Sequence, residues 1–588
     1  MTRSIRVGCA AGFWGDTREA ARQLVARGEI DYLVFDFLAE ITMALLARIK
    51  AKKPDAGYVP DLVETVAPLL PDLMKRGIKV VSNGGGMNPQ AAADALMQRA
   101  QAMGLSPRIA VVTGDDVSGL VAGRSLNDMF SGRPLPDKLT SANAYLGAFP
   151  IAKALALGAD IVITGRCVDS AIVTGPAIFA FDIQADDYDR LSAMSLAGHL
   201  VECGAQVTGG IFTDWHDVAG WDDIGFPIAV LSEDGSIEIS KPVDTGGKVT
   251  PLTVAEQMLY EIDDPASYRL PDVVCDWRAV QLAQIGPDRV RATGCKGRAP
   301  TGQLKVSATA PDGFRVMGTV TIIGRDAGPK AQRTGDAIIT RARRLIAERN
   351  LPDFTETSIE VIGAGTVYGA SAMVSRARDV MLKIGARHPQ EEALKILAAE
   401  IVPAATAMAQ GLTGFFAGRP TPAPVFRGFS FLIPAAQVTP VIAFEGQELA
   451  VPFALSGEPE PLVRLAGVDA DGKGRASVPL IRLAVGRSGD KGNNANIGVI
   501  ARQAHYLAFI KAALTEDAVK DFFAMTGVTR VERFELPGIS ALNFVLHECL
   551  GGGGVVSLRI DPQGKGLAQM LMDFPIPVPT KIAKECSS

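Results

Sequence analysis

The stretch Ile78–Gly104 reads IKVVSNGGGMNPQAAADALMQRAQAMG and sets the pattern of the first 180 residues. A short apolar run ends abruptly in the small and polar residues SNGGGMNP. The segment that follows repeats its apolar residues at the spacing of an α-helix. This order predicts a strand, a tight loop and a helix.

Four other apolar runs end in the same way, and each is a candidate strand with its own polar end. They are SIRVGCAAG (4–12), DYLVFDFLAE (31–40), RIAVVTGDDV (108–117) and ADIVITGRCVDS (159–170). Alternating strands and helices predict an α/β fold, with a large parallel sheet and helices on both faces. Because ligands bind at the carboxyl ends of such strands, we expect the five strand-end loops to share one edge and line a cleft.

The C-terminal region follows a different pattern. The segment AVGRSGDKGNNANIGVIA (484–501) carries a compact polar core, and a helix across ALTEDAVKDFFAMTG and the strands VERFELPG, ALNFVLHECL and GGVVSLRID are predicted after it. This order predicts a small α+β domain with an antiparallel sheet. The predicted division is a large domain at 1–466, with possible lobes at 1–250 and 251–455, a linker at 467–477 and a small domain at 478–577.

Composition narrows the functional class. The 588 residues are 47% hydrophobic and 21% charged, and the formal net charge is −5, so no basic field for nucleic acid and no polybasic membrane tail is present. The seven cysteines are scattered without metal-ligand spacing to histidine, which favours reduced thiols and a cytoplasmic location. We therefore expect a small-molecule substrate, no nucleic-acid or membrane partner and no metal site.

The predicted cleft concentrates carboxylates at the strand ends. Paired carboxylates can divide acid and base roles when their environments differ, and an arginine among them can hold a substrate carboxylate or neutralise Asp169. His199, three residues before Glu202, is expected to share a helix face with it. The candidate catalytic residues are Asp36, Asp115, Arg166, Asp169 and Glu202.

Two glycine-rich segments are candidate anion sites. A glycine loop between strand and helix can close on a phosphate or carboxylate, and arginine, lysine and amide donors in the C-terminal segment suit the same task. The alternatives are a tight turn without a ligand and a structural loop in which Asp490 pairs with a neighbouring cation. The candidate cofactor-binding residues are Ser82, Asn83, Gly84, Gly85, Gly86, Arg487, Ser488, Asp490, Lys491 and Asn493.

Taken together, these motifs resemble the acyclic terpene utilisation protein A (AtuA) family. The residues that carry the resemblance include GCAAGFWGD, VVSNGGGMNP, TGDDV, ADIVITGRCVDSA, HLVECGAQVTGG, KPVDTGGKVT and GRSGDKGNNANIGV. The resemblance implies a large N-terminal domain, a C-terminal ferredoxin-fold domain and a role in the catabolism of branched isoprenoids carried as CoA thioesters. It implies no assigned catalytic residue and no firm cofactor beyond CoA as a substrate carrier.

Two functions remain open from the sequence. The first is a lyase or hydro-lyase acting on a branched hydroxyacyl-CoA or a small hydroxy-carboxylate. The second is a non-catalytic ligand-binding or scaffold subunit of a catabolic complex. A homo-oligomer is expected in both.

Overall fold

The computed structural model describes residues 3–371, 377–414, 418–454 and 476–586. Most of the predicted linker at 467–477 lies outside these residues, and its last two positions belong to the strand Ala476–Pro479. Within the described ranges, no helix is both long and apolar enough to cross a bilayer.

Strands from the whole chain build the sheets. In chain order they are β1 Ser4–Cys9, β2 Tyr32–Phe35, β3 Lys79–Ser82, β4 Ile109–Thr113, β5 Ser141–Ala144, β6 Ile161–Thr164, β7 Ile228–Ser232, β8 Ile237–Ser240, β9 Tyr268–Arg269, β10 Val274–Asp276, β11 Gln281–Gly286, β12 Arg289–Thr293, β13 Lys296–Arg298, β14 Gln303–Ile323, β15 Glu356–Ile362, β16 Asp379–His388, β17 Leu412–Thr413, β18 Ala423–Pro434, β19 Val441–Phe444, β20 Gln447–Ala450, β21 Ala476–Pro479, β22 Ala484–Lys491, β23 Asn494–Ala501, β24 Val531–Leu536, β25 Ala541–Leu546 and β26 Pro575–Val578.

The α-helices cover the sheet faces and join the strands. They are α1 Glu19–Arg27, α2 Glu40–Lys52, α3 Pro60–Val66, α4 Leu70–Arg76, α5 Pro89–Ala102, α6 Ser118–Val121, α7 Phe149–Ala156, α8 Ala171–Phe181, α9 Tyr188–Val201, α10 Pro251–Met258, α11 Ala327–Glu348, α12 Glu391–Ile401, α13 Ala404–Ala407, α14 Leu507–Ala513, α15 Glu516–Phe522, α16 Leu567–Leu571 and α17 Thr580–Glu585.

A parallel core confirms the predicted α/β fold. The strands β1, β2, β3, β6 and β4 lie in this order and run parallel. Alternate residues of one strand enter different cores: Val34 packs in one hydrophobic cluster, whereas Leu33 and Phe35 pack in the other. Helices therefore cover both faces, and the five strand ends share one edge, as the sequence predicts.

Antiparallel strands extend this core on both sides. On one side, β7, β8, β12 and β11 follow β1, and on the other, β19 and β20 follow β4. Strands from both of the lobes predicted at 1–250 and 251–455 thus join one sheet. A division near residue 250 does not coincide with a boundary of this sheet.

A second antiparallel sheet is organised around the long strand β14. The strands β16, β17, β18 and β5 pair directly with β14, and β15 pairs with β16. The helices α11 and α12 pack on this sheet and bury a separate apolar cluster. The strand β5, which belongs to the N-terminal part of the chain, ties this sheet to the parallel core.

The C-terminal unit contains a four-stranded antiparallel sheet in the order β22, β23, β25, β24. The polar segment predicted as a loop is instead the end of a hairpin: β22 continues to Lys491 and β23 begins at Asn494. The predicted strand in GGVVSLRID is wrong, because these residues form turns. Four consecutive glycines, Gly551–Gly554, adopt positive φ, a conformation that ends an extended strand.

The small unit docks on the large one through glycine and polar contacts. A Cβ atom on Gly498 would lie 2.5 Å from the Leu259 side chain, and one on Gly489 would lie 2.6 Å from the Tyr260 ring. Arg502 donates to both carboxylate oxygens of Asp214 at 2.5 and 2.6 Å. The glycines of the hairpin therefore allow the two units to approach closely.

Candidate active site

A cavity of about 1570 Å³ lies between the strand-end loops of the large unit and the hairpin of the small unit. Its lining includes four of the five candidate catalytic residues, namely Asp36, Arg166, Asp169 and Glu202. The hairpin residues Asp490, Lys491 and Asn493 line it as well. Residues more than 450 positions apart in the chain thus border one space.

Asp36 follows β2 and is buried at one wall of the cavity. The Asn83 side-chain amide donates to Asp36 Oδ1 at 2.5 Å, and Asn83 Oδ1 accepts from the backbone N–H of Phe37 at 2.8 Å. Burial, then the charges of Asp169 and Glu202, raise the pKa of Asp36 well above its usual range. Burial therefore makes the carboxyl of Asp36 easier to protonate than that of an exposed aspartate.

Arg166 provides the cation of this wall. Its Nη1 donates to Asp169 Oδ1 at 2.5 Å and to the Cys167 carbonyl at 3.1 Å, and the guanidinium lies 4.0 Å from the centre of the Tyr145 ring. Its side chain is 2% exposed. Arg166 does pair with Asp169, yet its Nε has no hydrogen-bond partner, so one donor remains unused.

Glu202 and the buried His199 form a hydrogen-bonded pair. His199 Nε2 lies 3.2 Å from the Met258 carbonyl, which can only accept, so Nε2 carries hydrogen. His199 Nδ1 lies 3.0 Å from Glu202 Oε1, and either an imidazolium with a carboxylate or an imidazole with a carboxylic acid satisfies this contact. Burial raises the pKa of Glu202, while His199 opposes the shift. Glu202 faces the cavity, and His199 supports it from behind.

A second ion pair at the cavity, between Glu40 and Lys305, is absent from the candidate catalytic residues. Glu40 begins α2 and accepts hydrogen bonds from the Tyr145 hydroxyl at 2.6 Å and from Lys305 Nζ at 3.1 Å. Burial opposes ionisation, but Lys305 and Arg166 outweigh it and lower the pKa of Glu40. Glu40 is visible in the sequence as a strand-end carboxylate, whereas Lys305 lies on β14 of the second sheet and has no local signal.

Asp115 does not reach the cavity, so its candidate catalytic role is not supported. Its carboxylate accepts from the backbone N–H of Arg166 at 2.9 Å and from the Asn143 amide at 2.8 Å. A Cβ atom on Gly165 would lie 2.3 Å from the Asp115 carboxylate, so the two loops are in close contact. Asp115 supports the loop that presents Arg166.

The loop Ser82–Gly86 is filled by protein rather than open to a ligand. A Cβ atom on Gly85 would lie 2.5 Å from Pro89 and from the Thr164 carbonyl, and one on Gly86 would lie 2.4 Å from Leu46. Ser82 Oγ accepts from the backbone N–H of Gly84 at 3.0 Å. The anion-binding role predicted for Ser82, Asn83, Gly84, Gly85 and Gly86 therefore gives way to a tight turn in which Asn83 positions Asp36.

The hairpin residues divide into two groups. Arg487 donates to Gln206 at 2.7 Å and to the buried Glu256 at 3.2 Å, and Ser488 donates to the Gly564 carbonyl at 2.7 Å. Arg487 joins the two units, Ser488 stabilises the small unit, and neither lines the cavity, which corrects their predicted role in anion binding. Asn493 accepts from the backbone N–H of Gly552 at 2.7 Å.

Lys565 of the small unit contacts three other residues that line the cavity. Its Nζ donates to the Tyr260 hydroxyl, lies 3.0 Å from Glu261 Oε1 and lies 3.5 Å from Asp490 Oδ1. All four residues line the cavity. Sequence reasoning did not find Tyr260, Glu261 or Lys565, because they stand about 300 positions apart and no local motif joins them.

Two further features bear on the chemistry of the site. Among the residues with described positions, no group of three or more histidine, cysteine, aspartate or glutamate residues is arranged to hold a metal ion. Cys203 lines the cavity, but burial raises the pKa of its thiol well above the usual range, which disfavours a thiolate nucleophile.

Comparison with known proteins agrees with this two-domain α/β architecture. The family model described as acyclic terpene utilisation family protein AtuA matches residues 5–444, and the model described as the AtuA ferredoxin-like domain matches residues 478–577. The chain therefore belongs to the acyclic terpene utilisation AtuA family and carries the ferredoxin-like domain at its C-terminal end. A search of curated proteins found no match.

Proposed function

We propose that this protein is a lyase or hydro-lyase that acts on a branched hydroxyacyl-CoA or a small hydroxy-carboxylate. The observation that carries the proposal is the buried carboxyl of Asp36 at the cavity wall, next to the Arg166–Asp169 pair. Elimination from a hydroxy compound needs an acid to protonate the leaving oxygen, and a carboxyl with a raised pKa suits this task.

The other groups of this wall suit substrate binding. The guanidinium of Arg166 and the ammonium of Lys305 are cations near Tyr145, and they can orient a carboxylate or a thioester carbonyl. Apolar residues such as Leu38, Ile41 and Met129 line the same space and suit a branched alkyl chain.

The size of the cavity favours a long substrate. Its volume of about 1570 Å³ exceeds the roughly 300–1,000 Å³ typical of small-ligand sites. A CoA thioester is such a substrate, and membership in the acyclic terpene utilisation family agrees with a branched acyl group.

The test is turnover of a panel of 3-hydroxyacyl-CoA thioesters and free hydroxy acids by the purified full-length chain. Asp36→Asn keeps the shape of the side chain but removes the acid, so kcat/KM is expected to fall by roughly 100-fold or more. The matched control is Asp116→Asn, because Asp116 is an exposed strand-end aspartate outside the cavity lining; it is expected to stay within about twofold of wild type.

Unchanged turnover in Asp36→Asn would contradict the proposed acid. Binding of panel members by the wild type without any turnover would instead favour a non-catalytic ligand-binding subunit.

A further inference from the structure

A second cluster of titratable groups, built from both domains, lines the same cavity as the strand-end residues. Lys565 contacts Tyr260, Glu261 and Asp490, and the latter three come from two different domains. Lys491, the neighbour of Asp490, lies with its Nζ 5.6 Å from the centre of the Tyr268 ring. The inference below rests on the proposed function and assigns a role to this cluster.

Two buried asparagines of the small domain hold the loop that carries Tyr260 and Glu261. Asn496 Oδ1 accepts from the backbone N–H of Glu261 at 2.9 Å, and its amide donates to the Leu259 carbonyl at 2.6 Å. The Asn543 amide donates to the carbonyls of Ile262 and Asp263 at 3.0 and 2.7 Å. Both asparagines are 0% exposed, so these bonds form away from water.

The loop has an unfavourable backbone conformation at the position that enters the cavity. Glu261 has a φ of 57°, in the left-handed region that non-glycine residues rarely adopt. Such a conformation persists only where the surroundings fix it, and it occurs often at functional sites. The bonds from Asn496 to the residues on both sides of Tyr260 supply this constraint.

The Lys565 ammonium contacts two carboxylates of the cluster, those of Glu261 and Asp490. Lys565 Nζ is nearer to Glu261 at 3.0 Å than to Asp490 at 3.5 Å, so Asp490 is the less well neutralised of the two. Burial raises the pKa of Asp490 to about 7, the charges of Glu261 and Glu40 add to the shift, and Lys565 opposes it. A base is most effective when its pKa lies near the working pH.

We propose that Asp490 is the proton acceptor of the reaction and that it works across the cavity from Asp36, the proton donor. In a dehydration, the Asp490 carboxylate takes a proton from the carbon next to the thioester carbonyl. The electron pair of that C–H bond is first held as an enolate of the thioester, from which deuterium can return to the carbon. The enolate then forms the C=C bond as the C–O bond breaks, and the leaving hydroxyl takes the proton of Asp36 and departs as water. Asp490 then returns its proton to solvent, and Asp36 regains one.

Lys565, Asn496 and Asn543 are positioning residues in this assignment. Lys565 holds Glu261 and Asp490 on one ammonium, and the asparagines fix the loop that carries Glu261. The reaction centre is then complete only when the small domain is docked on the large one.

The experiment separates removal of the carbon-bound proton from loss of the hydroxyl. The full-length protein is incubated in D₂O with 3-hydroxybutyryl-CoA and with its 3-methyl homologue, and deuterium at the carbon next to the carbonyl is followed by mass spectrometry together with formation of the unsaturated product. The variants are Asp490→Asn, Asp490→Glu and Asp36→Asn, and the matched control is Asp521→Asn. Asp521 is an exposed aspartate on α15, outside the cavity lining.

The inference predicts that Asp490→Asn loses both deuterium exchange and product by roughly 100-fold or more. Asp36→Asn is expected to lose product by a similar factor but to keep exchange within about threefold, because its base is intact. Asp490→Glu regains part of the exchange, since the carboxylate is restored. Asp521→Asn behaves as wild type.

Exchange at the wild-type rate in Asp490→Asn would overturn the inference, and the proposed function would still stand if Asp36→Asn lost product. Absence of both exchange and product in the wild type with every probe would overturn both. Melting curves check folding. If Asp490→Asn does not fold, Asp490→Glu decides: wild-type exchange and an unchanged acidic limb of the pH–rate profile would overturn the inference.

Discussion

The two walls of the cavity differ in how their carboxylates are held. On the strand-end wall, Asp36 is fixed by Asn83 and Arg166 by Asp169, all within the N-terminal part of the large domain. On the opposite wall, Asp490 belongs to the small domain, and Glu261, its partner on Lys565, belongs to the large domain. The contacts that fix Asp36 and Arg166 form within the large domain, whereas those of the second wall need docking of the domains.

This difference explains what the glycine-rich segments do. Glycines in the loop Gly84–Gly86 let a strand, a helix and a neighbouring loop pack together. Gly489 and Gly498 let the small domain approach Leu259 and Tyr260. In both places the absence of a Cβ atom serves contact between protein segments. Asp490, which follows Gly489, lines the cavity, whereas Gly489, Gly498 and Gly84–Gly86 do not.

The largest expected effect is on the strand-end wall. Arg166→Met leaves the buried Asp36 and the partly exposed Asp169 without their nearby cation, so the free energy of unfolding is expected to fall by about 3–5 kcal/mol in chemical denaturation. The control is Arg108→Met, because Arg108 is 45% exposed and pairs with the exposed Glu445; it should cost about 1 kcal/mol or less. Equal losses of unfolding free energy in the two variants would contradict a larger contribution of the buried Arg166 to stability.

The docking interface provides the next prediction. Arg487 and Glu256 form an ion pair with side chains 5% and 0% exposed. Arg487→Met leaves Glu256 buried without its cation and is expected to cost about 3 kcal/mol. The double variant Arg487→Met/Glu256→Gln removes the uncompensated charge and should recover part of the loss. A double variant that is less stable than the single one would contradict the proposed cause.

The smallest effect is expected from crowding of the interface. Gly498→Ala places a Cβ atom against Leu259, and the strain is expected to cost roughly 1–3 kcal/mol. Gly428→Ala is the matched control, since Gly428 also lies on a strand, β18, but has no atom within 4 Å of the added Cβ. Thermal unfolding of both variants measures the difference, and an equal shift would show that docking does not depend on Gly498.

The sequence predicted the parallel core because each strand and its polar end are local patterns. Asp36, Arg166 and Asp169 follow strands directly, and parallel strands bring their ends to one edge. Asp115 also follows a strand, but its carboxylate accepts a hydrogen bond from the Arg166 backbone instead of reaching the cavity. The packing of neighbouring loops causes this difference, and the local sequence does not show it. The family resemblance also predicted the small domain, which the family comparison confirms.

The opposite wall could not be predicted, because it depends on docking. Tyr260 and Glu261 follow α10, and Lys565 lies in a turn region of the small domain, about 300 positions later. Neither segment carries a motif of its own. Glycines favour turns, so the polar segment has no local strand signal, yet Gly489 lies on β22, where the Tyr260 side chain approaches closely.

The central claim is that Asp36 and Asp490, from two domains, act on one substrate. The most direct test is a double-mutant cycle in kcat/KM with a thioester that the wild type turns over, using Asp36→Asn, Asp490→Asn and the double variant. Residues that act as a unit are not additive, so the double variant is expected to lose no more than about threefold beyond the worse single variant. Wild-type turnover in Asp490→Asn, or losses that multiply in the double variant, would contradict a shared reaction centre.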